Sequence, residues 1–238
     1  MPRQPRVCIP QIPAHLIQRG NNKTACFFSN KDRDLYLHKL EEYSKRFGVA
    51  VHNYVLMTNH VHLLVTPEDE CGISLLMQFL GRSYVKYFNA SHDRTGTLWE
   101  GRFRMSLVDS DSYFYTVSRY IEMNPVRAGI VKHPSGYRWS SYMANADGRY
   151  SSVVTQHKLY MKLGANPRKR SRAYRQLFVH GENRNDVELI RYATNRCLPL
   201  GQNDFINKLE KASGKRLLPG SHGGDRKSVG FRAKIKSI

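Results

Sequence analysis

Two histidines one residue apart are the first side chains in this sequence with the types and spacing for chemistry. His60 and His62 lie in Met57-Thr58-Asn59-His60-Val61-His62-Leu63-Leu64-Val65-Thr66-Pro67. β-Branched and apolar residues bounded by Thr-Asn and Pro predict a strand there, and side chains alternate faces along a strand. Both imidazoles therefore point the same way, about 7 Å apart at their Cα atoms, and can converge on one divalent cation. Two histidines do not fill a coordination sphere, and an isolated His-x-His is more often a pair of hydrogen-bonded packing residues. A second cluster gives the pair a partner. The segment Ser112 to Asn124 predicts a helix carrying Tyr113, Tyr115 and Tyr120. On it Tyr120 and Asn124, four residues apart, share a face. A tyrosine facing a metal-bound phosphodiester can attack phosphorus and form a covalent phosphotyrosine. The Asn124 oxygen can supply a third protein ligand, with phosphate and water completing a sphere suited to Mg²⁺ or Mn²⁺. Spacing alone leaves Tyr113 and Tyr115 as alternatives to Tyr120.

The elements that must position these residues can be read in order. Ala14 to Arg19 predicts a short strand, ended by the turn signal Gly20-Asn21-Asn22. Lys31 to Phe47 has helical spacing and stops at Gly48, and Val49 to Leu56 is a second strand. Thr58-Asn59 turns it into the histidine strand as an antiparallel hairpin. Gly72 to Asn89 predicts a helix and Leu98 to Val108 an extended segment. Strand, helix, strand, strand, helix, strand is the split βαβ, ferredoxin-like order. It implies an α+β fold: an antiparallel sheet with helices on one face and the other face open for a ligand.

Composition narrows the partner. The chain has 238 residues, 38 lysines and arginines against 19 acidic residues, and a formal net charge of +19. So basic a chain favours a polyanion, nucleic acid before membrane surface. No apolar run reaches the roughly 18 residues a membrane helix needs, and no apolar stretch follows the N-terminus as in a signal peptide. Four scattered cysteines without a Cys-x-x-Cys argue against a zinc finger or disulfide framework and fit a reducing cytoplasm. Arg19, Arg82, Lys86, Arg102, Arg104, Arg119 and Arg127 are the cations expected to meet phosphates, and Tyr84 or Tyr87 could stack bases. Arg102 and Arg104 alternate with Phe103, which places cation and ring on opposite faces of a strand. Composition shifts beyond about residue 150, giving an expected division into 1–150, a catalytic and DNA-binding domain; 151–218, a small helical appendage; and 219–238, a flexible basic tail. Within the appendage, Asp186 to Asn195 and Gln202 to Ala212 form a helical pair compatible with helix-turn-helix DNA binding.

Five segments together resemble one family. His60-Val61-His62 looks like the HUH motif, and Arg119-Tyr120-Ile121-Glu122-Met123-Asn124-Pro125 like the tyrosine motif of single-tyrosine transposases. Gln18-Arg19-Gly20-Asn21-Asn22, Leu98-Trp99-Glu100-Gly101-Arg102-Phe103 and Trp139-Ser140-Ser141-Tyr142 point to the REP-associated tyrosine transposases. The resemblance runs from about residue 10 to 145. It implies a metal-dependent single-strand DNA endonuclease and strand transferase that cuts beside a hairpin, keeps the 5′-phosphate on tyrosine and releases a 3′-hydroxyl. His60 and His62 then bind metal, Tyr120 is the nucleophile, and Asn124 takes the place of a polar third ligand. Implied partners are single-stranded or hairpin DNA of the REP-palindrome type. The implied setting is a bacterial, nucleoid-associated cytoplasmic protein, either monomer or homodimer. The competing expectation is a non-catalytic hairpin DNA or RNA binder on the same sheet.

Overall fold

The computed structural model describes residues 6–179 and 181–218. Strand β1 (Ala14–Arg19) leads to helix α1 (Asn30–Arg46), strands β2 (Val49–Leu56) and β3 (His60–Pro67), helix α2 (Gly72–Ser91) and strand β4 (Arg104–Leu107). The strands form one antiparallel sheet in the order β2-β3-β1-β4, the expected ferredoxin-like arrangement. Local signals set the ends of α1. Ser29 and Asp32 form a reciprocal capping box, and Gly48 just beyond the helix takes a positive φ of 57°.

Helices α1 and α2 pack on the sheet face that carries Leu16, Leu63 and Val65. At the start of α2 the backbone comes so close that a Cβ on Gly72 would stand 3.1 Å from Val49 Cγ2. Tyr84 and Tyr87 belong to this layer. Tyr84 is fully buried with its hydroxyl donating to Cys26 O, and Tyr87 donates to Asp32, so neither is placed to stack a base.

The opposite face is not the open platform expected. After β4 come α3 (Ser110–Glu122) and the short α4 (Asn124–Arg127), then α5 (Tyr142–Asp147), α6 (Lys158–Lys162), α7 (Pro167–Gln176), α8 (Arg184–Arg196) and α9 (Asn203–Ser213). Helix α3 lies across β2 and β3, and α8 lies against β1, β4 and α3. Val187, Ile190 and Ala193 of α8 and Leu209 of α9 join the same buried cluster as the strands. The sequence shows amphipathic helices there, but not which surface they cover. The basic run from Pro167 opens α7, whose N-cap Asn166 accepts from Lys169 N. The expected tail, 219–238, lies outside the described residues. No described helix is long and apolar enough to cross a membrane.

Two boundaries differ from expectation. Only Arg104–Leu107 of the Leu98–Val108 stretch pairs as a strand. Before it Trp99 bridges to Gly20, and Gly101 takes φ 109°, a conformation that ends regular extension. Helix α3 starts at its N-cap Asp109 and ends at Glu122, so Asn124 falls beyond it in α4.

A buried carboxylate ties α3 to its surroundings. Glu122 has no solvent exposure; its Oε1 accepts from Asn53 Nδ2 (2.8 Å), Ser141 Oγ (2.5 Å) and Asn145 Nδ2 (3.1 Å), and its Oε2 from Tyr174 OH (2.9 Å). Burial pushes its carboxyl above the usual range despite these donors. Ser141 also exchanges hydrogen bonds with Tyr54 of β2, so Trp139-Ser140-Ser141-Tyr142 both covers the sheet edge and holds Glu122.

Two predictions follow from this packing. Glu122→Ala leaves four polar groups facing a void and should destabilise the fold by about 3–5 kcal/mol in denaturant unfolding. Glu122→Gln, of the same shape, should lose clearly less, and equal losses would show that the donors contribute nothing.

The second concerns acid. His52 is buried between Thr155 O (2.7 Å) and Thr66 Oγ1 (2.8 Å), and His157 stacks on Phe114 at 4.1 Å. Burial pushes both imidazoles down to about 4. Each is neutral when folded, so its contribution is complete above about pH 6.5 and is lost as pH falls toward about 4. Stability should therefore drop between about pH 6.5 and about pH 4. His52→Asn, which keeps a donor for Thr155, should shrink that drop; an unchanged drop would clear His52 of the effect.

Candidate active site

The pairing of β1 with β3 builds the site. Its register sets His15 opposite Leu64, Ile17 opposite His62 and Arg19 opposite His60. Paired residues share a face, so one surface carries His15, Arg19, His60 and His62. Gly20, at the end of β1, is required by close approach: a Cβ there would lie 2.2 Å from Thr24 O. Its N–H donates to Asn59 O, Asn21 N–H donates to Leu98 O, and Glu100 N–H donates to Arg19 O. The Arg-Gly-Asn-Asn, Asn-His-Val-His and Leu-Trp-Glu-Gly segments thus meet beside His60.

The imidazoles are held differently at their two nitrogens. His60 Nδ1 is 2.7 Å from Asn59 Oδ1, which makes Nδ1 the donor and leaves Nε2 a lone pair. His62 is 2 % exposed and its Nδ1 lies 2.8 Å from Nε2 of His15. His15 in turn reaches Thr194 Oγ1 of α8 through Nδ1 (2.9 Å). The rings of His60 and His62 stand 5.0 Å apart and nearly perpendicular. Burial first, and then the charges of Arg19 and Arg127, push His60 down to about 4; burial together with His15 and His60 lowers His62 well below the ordinary imidazole value. Both rings are therefore neutral donors at neutral pH. His15 was missed in the sequence. It sits alone in Pro-Ala-His-Leu-Ile and only pairing brings it to His62.

Of the three tyrosines on α3, Tyr120 is the one in contact with the histidines. Its ring is 5.6 Å from His62 and 5.7 Å from His15, edge-on to both. The Arg127 guanidinium lies 4.2 Å over the ring, and Arg127 also donates to Tyr120 O (2.6 Å) and pairs with Glu182. Tyr115 instead donates to Leu159 O, and Tyr113 packs at the edge of the core. Asn124 is near, though not by the helical side-by-side placement expected. Its Nδ2 turns back to Tyr120 O (2.9 Å) and Ile121 O (3.2 Å), capping carbonyls that α3 leaves without partners, and its side chain also hydrogen-bonds with His60.

The donor set fits a divalent ion only as an open site. Among the described residues no three of His, Cys, Asp and Glu gather to hold a metal, so His60, His62 and Asn124 would leave most positions to water or phosphate.

The expected cations separate into groups. Arg19 stands at the site beside His60. Arg104 is tied to Asn195 O and Oδ1, and Arg119 to Leu177 O and Asp186. Arg82 and Lys86 are exposed on α2, on the far side of the sheet, away from the histidines. Arg102 is exposed ahead of β4, and Phe103, rather than alternating with it across a strand, is buried under Arg6 at 3.8 Å. A cavity of about 930 Å³ runs along this edge, with Ile17, Phe103 and Leu217 as apolar lining. Arg6, Arg19, Arg102, Arg104, Arg196, Lys215 and Arg216 line it against the single carboxylate of Glu100, so it is strongly electropositive. Arg6, Arg196, Lys215 and Arg216 were not singled out in the sequence. They come from three separate stretches, and charge alone does not reveal that they converge.

Comparison with known proteins agrees with this architecture. No curated protein matches the chain. Among solved structures, a REP-associated tyrosine transposase bound to a REP hairpin superposes with a TM-score of 0.51 at 19% identity, over 66% of this chain and 93% of that one. At that identity the likeness is one of fold. A putative transposase from Deinococcus radiodurans R1 aligns at a TM-score of 0.36 and 17% identity, over 50% of this chain and 95% of the other. Residues 8–124, which hold the whole sheet, the histidine pair and the tyrosine helix, match the family model of IS200-like transposases.

Proposed function

We propose that this protein is a single-strand DNA endonuclease and strand transferase that acts at hairpin DNA through a covalent 5′-phosphotyrosine on Tyr120. The observation that carries the reading is the packing of Tyr120 on His62 and His15, with Arg127 across its ring. A family of transposases and a fold shared with a hairpin-bound relative support the substrate class. In the proposed reaction the Tyr120 oxygen attacks phosphorus, a phosphorus–tyrosyl oxygen bond forms, and the bond to O3′ breaks. The phenolic proton ends, in net terms, on the released 3′-oxygen. Strand transfer is the reverse step with a different 3′-hydroxyl.

His60 and His62, with Asn124, would hold Mg²⁺ or Mn²⁺. Such an ion, when bound, would polarise the phosphate and orient it for in-line attack. Arg127 holds the tyrosine ring through its face and its backbone, which fixes the nucleophile before substrate arrives. Arg19 and the basic groove beside β4 would take the phosphates of the strand, and a groove so cationic suits a polyanion without reading its bases.

Three measurements test this. Incubation with a labelled hairpin oligonucleotide and Mn²⁺ should trap an adduct that peptide mapping places on Tyr120. Tyr120→Phe should abolish adduct and cleavage while Tyr113→Phe and Tyr115→Phe keep both. No adduct with any divalent metal would instead favour a non-catalytic hairpin binder.

His60→Ala and His62→Ala should remove cleavage while keeping most DNA affinity, since affinity rests on cation–phosphate contacts. Full cleavage by either variant, or in excess chelator, would eliminate the metal site.

DNA affinity should fall steeply with salt, and Arg102→Ala or Arg216→Ala should each flatten that slope by up to about one unit. An unchanged slope in both would place the strand elsewhere.

A further inference from the structure

The hydrogen bonds behind the histidine pair single out His15. Its ring is 1 % exposed and lies within 21° of parallel to that of His62 with centroids 5.0 Å apart, and each of its two nitrogens has one partner: His62 Nδ1 and Thr194 Oγ1. Thr194 is itself buried, at 4 % exposure, on α8. Three polar groups in a row, all shut off from water, form a chain that admits two directions. In one, His62 Nδ1–H donates to His15 Nε2 and His15 Nδ1–H donates to the threonine oxygen. In the other, Thr194 Oγ–H donates to His15 Nδ1 and His15 Nε2–H donates to His62 Nδ1, which places the remaining proton on His62 Nε2. Only the first leaves His62 Nε2 with a lone pair.

We infer that His15, anchored by Thr194, is a positioning residue that fixes the tautomer and ring orientation of His62 so that Nε2 is offered as a donor. His60 is fixed in the same sense by Asn59 Oδ1 at Nδ1. The two imidazoles are thus prepared alike by different means, a neighbour in sequence for one and a strand pairing plus a distant helix for the other. A hydrogen bond to the second ring nitrogen is the general way in which proteins orient histidine ligands and raise their basicity. The inference rests on the metal-site reading above. It adds that a helix some 130 residues downstream of His62 takes part in preparing that site, through Thr194.

The test has two arms. Long-range ¹H–¹⁵N correlation on the histidine rings of the metal-free protein reads the tautomer directly. His62 should appear as the Nδ1–H form, and an Nε2–H form overturns the inference whatever the metal does. The second arm measures Mn²⁺ affinity by electron paramagnetic resonance, with a hairpin oligonucleotide present. His15→Leu should weaken Mn²⁺ binding by about 10–100-fold, and Thr194→Val should weaken it less. His15→Gln, whose oxygen can still accept from His62 Nδ1, should recover most of the affinity. Circular dichroism of the same samples separates loss of ligand orientation from loss of fold. Wild-type affinity in folded His15→Leu overturns the positioning role. Wild-type protein that shows the Nδ1–H tautomer yet binds no Mn²⁺ overturns the metal reading instead.

Discussion

The register between β1 and β3 is the constraint on which the rest depends. With Ile17 opposite His62, the residues on one side are His15, Ile17, Arg19, His60, His62 and Leu64, and those on the other are Leu16, Val61 and Leu63. A slip of one residue would exchange the two sets, sending imidazoles into the α1–α2 layer and leucines toward α3. The apolar set is almost wholly buried, so the register is pinned by the core, and the histidine face inherits its alignment. The site is in part a by-product of hydrophobic pairing on the opposite side of the same two strands.

On the histidine face buried polar groups sit among apolar ones, and they survive burial because partners are supplied from several elements. Glu122 draws donors from β2, α5, α7 and the segment before α5. His62 draws on β1 and, one step further, on α8. Buried polar groups without partners are destabilising, so these networks hold α3 at one height over the sheet. That height sets how Tyr120 meets the histidines. Arg127 adds a further restraint. Its pairing with Glu182 keeps part of its charge occupied while its face lies on the tyrosine ring.

The large positive charge is likewise shared between structure and surface. Arg104, Arg119 and Arg127 are spent on carbonyls, amides and carboxylates from residues 177 to 195. Arg102 remains exposed at the β4 edge, where the cationic groove lies. Cations that brace the downstream helices against the sheet are poor candidates for salt-dependent phosphate contacts, and the open ones are the better probes of the proposed DNA path.

The sequence by itself determined the order of elements, the limits of β1 and β2 and the shared direction of His60 and His62, because alternation and turn residues are local properties. Its five motif segments also carried the family resemblance, since each is short and contiguous. Tertiary structure alone decided the rest. His15 looks like any polar residue in a strand until antiparallel pairing sets it diagonally across from His62. Glu122 reads as one more acidic residue in a helix until four donors surround it. The sequence suggested an open second face, and α3 and α8 cover part of it, because an amphipathic pattern states that a helix has an apolar side without stating which surface receives it. Choosing Tyr120 among three tyrosines by geometry required the same information. A helical wheel gives angles about one axis, whereas contact with a histidine depends on where that axis lies over the sheet.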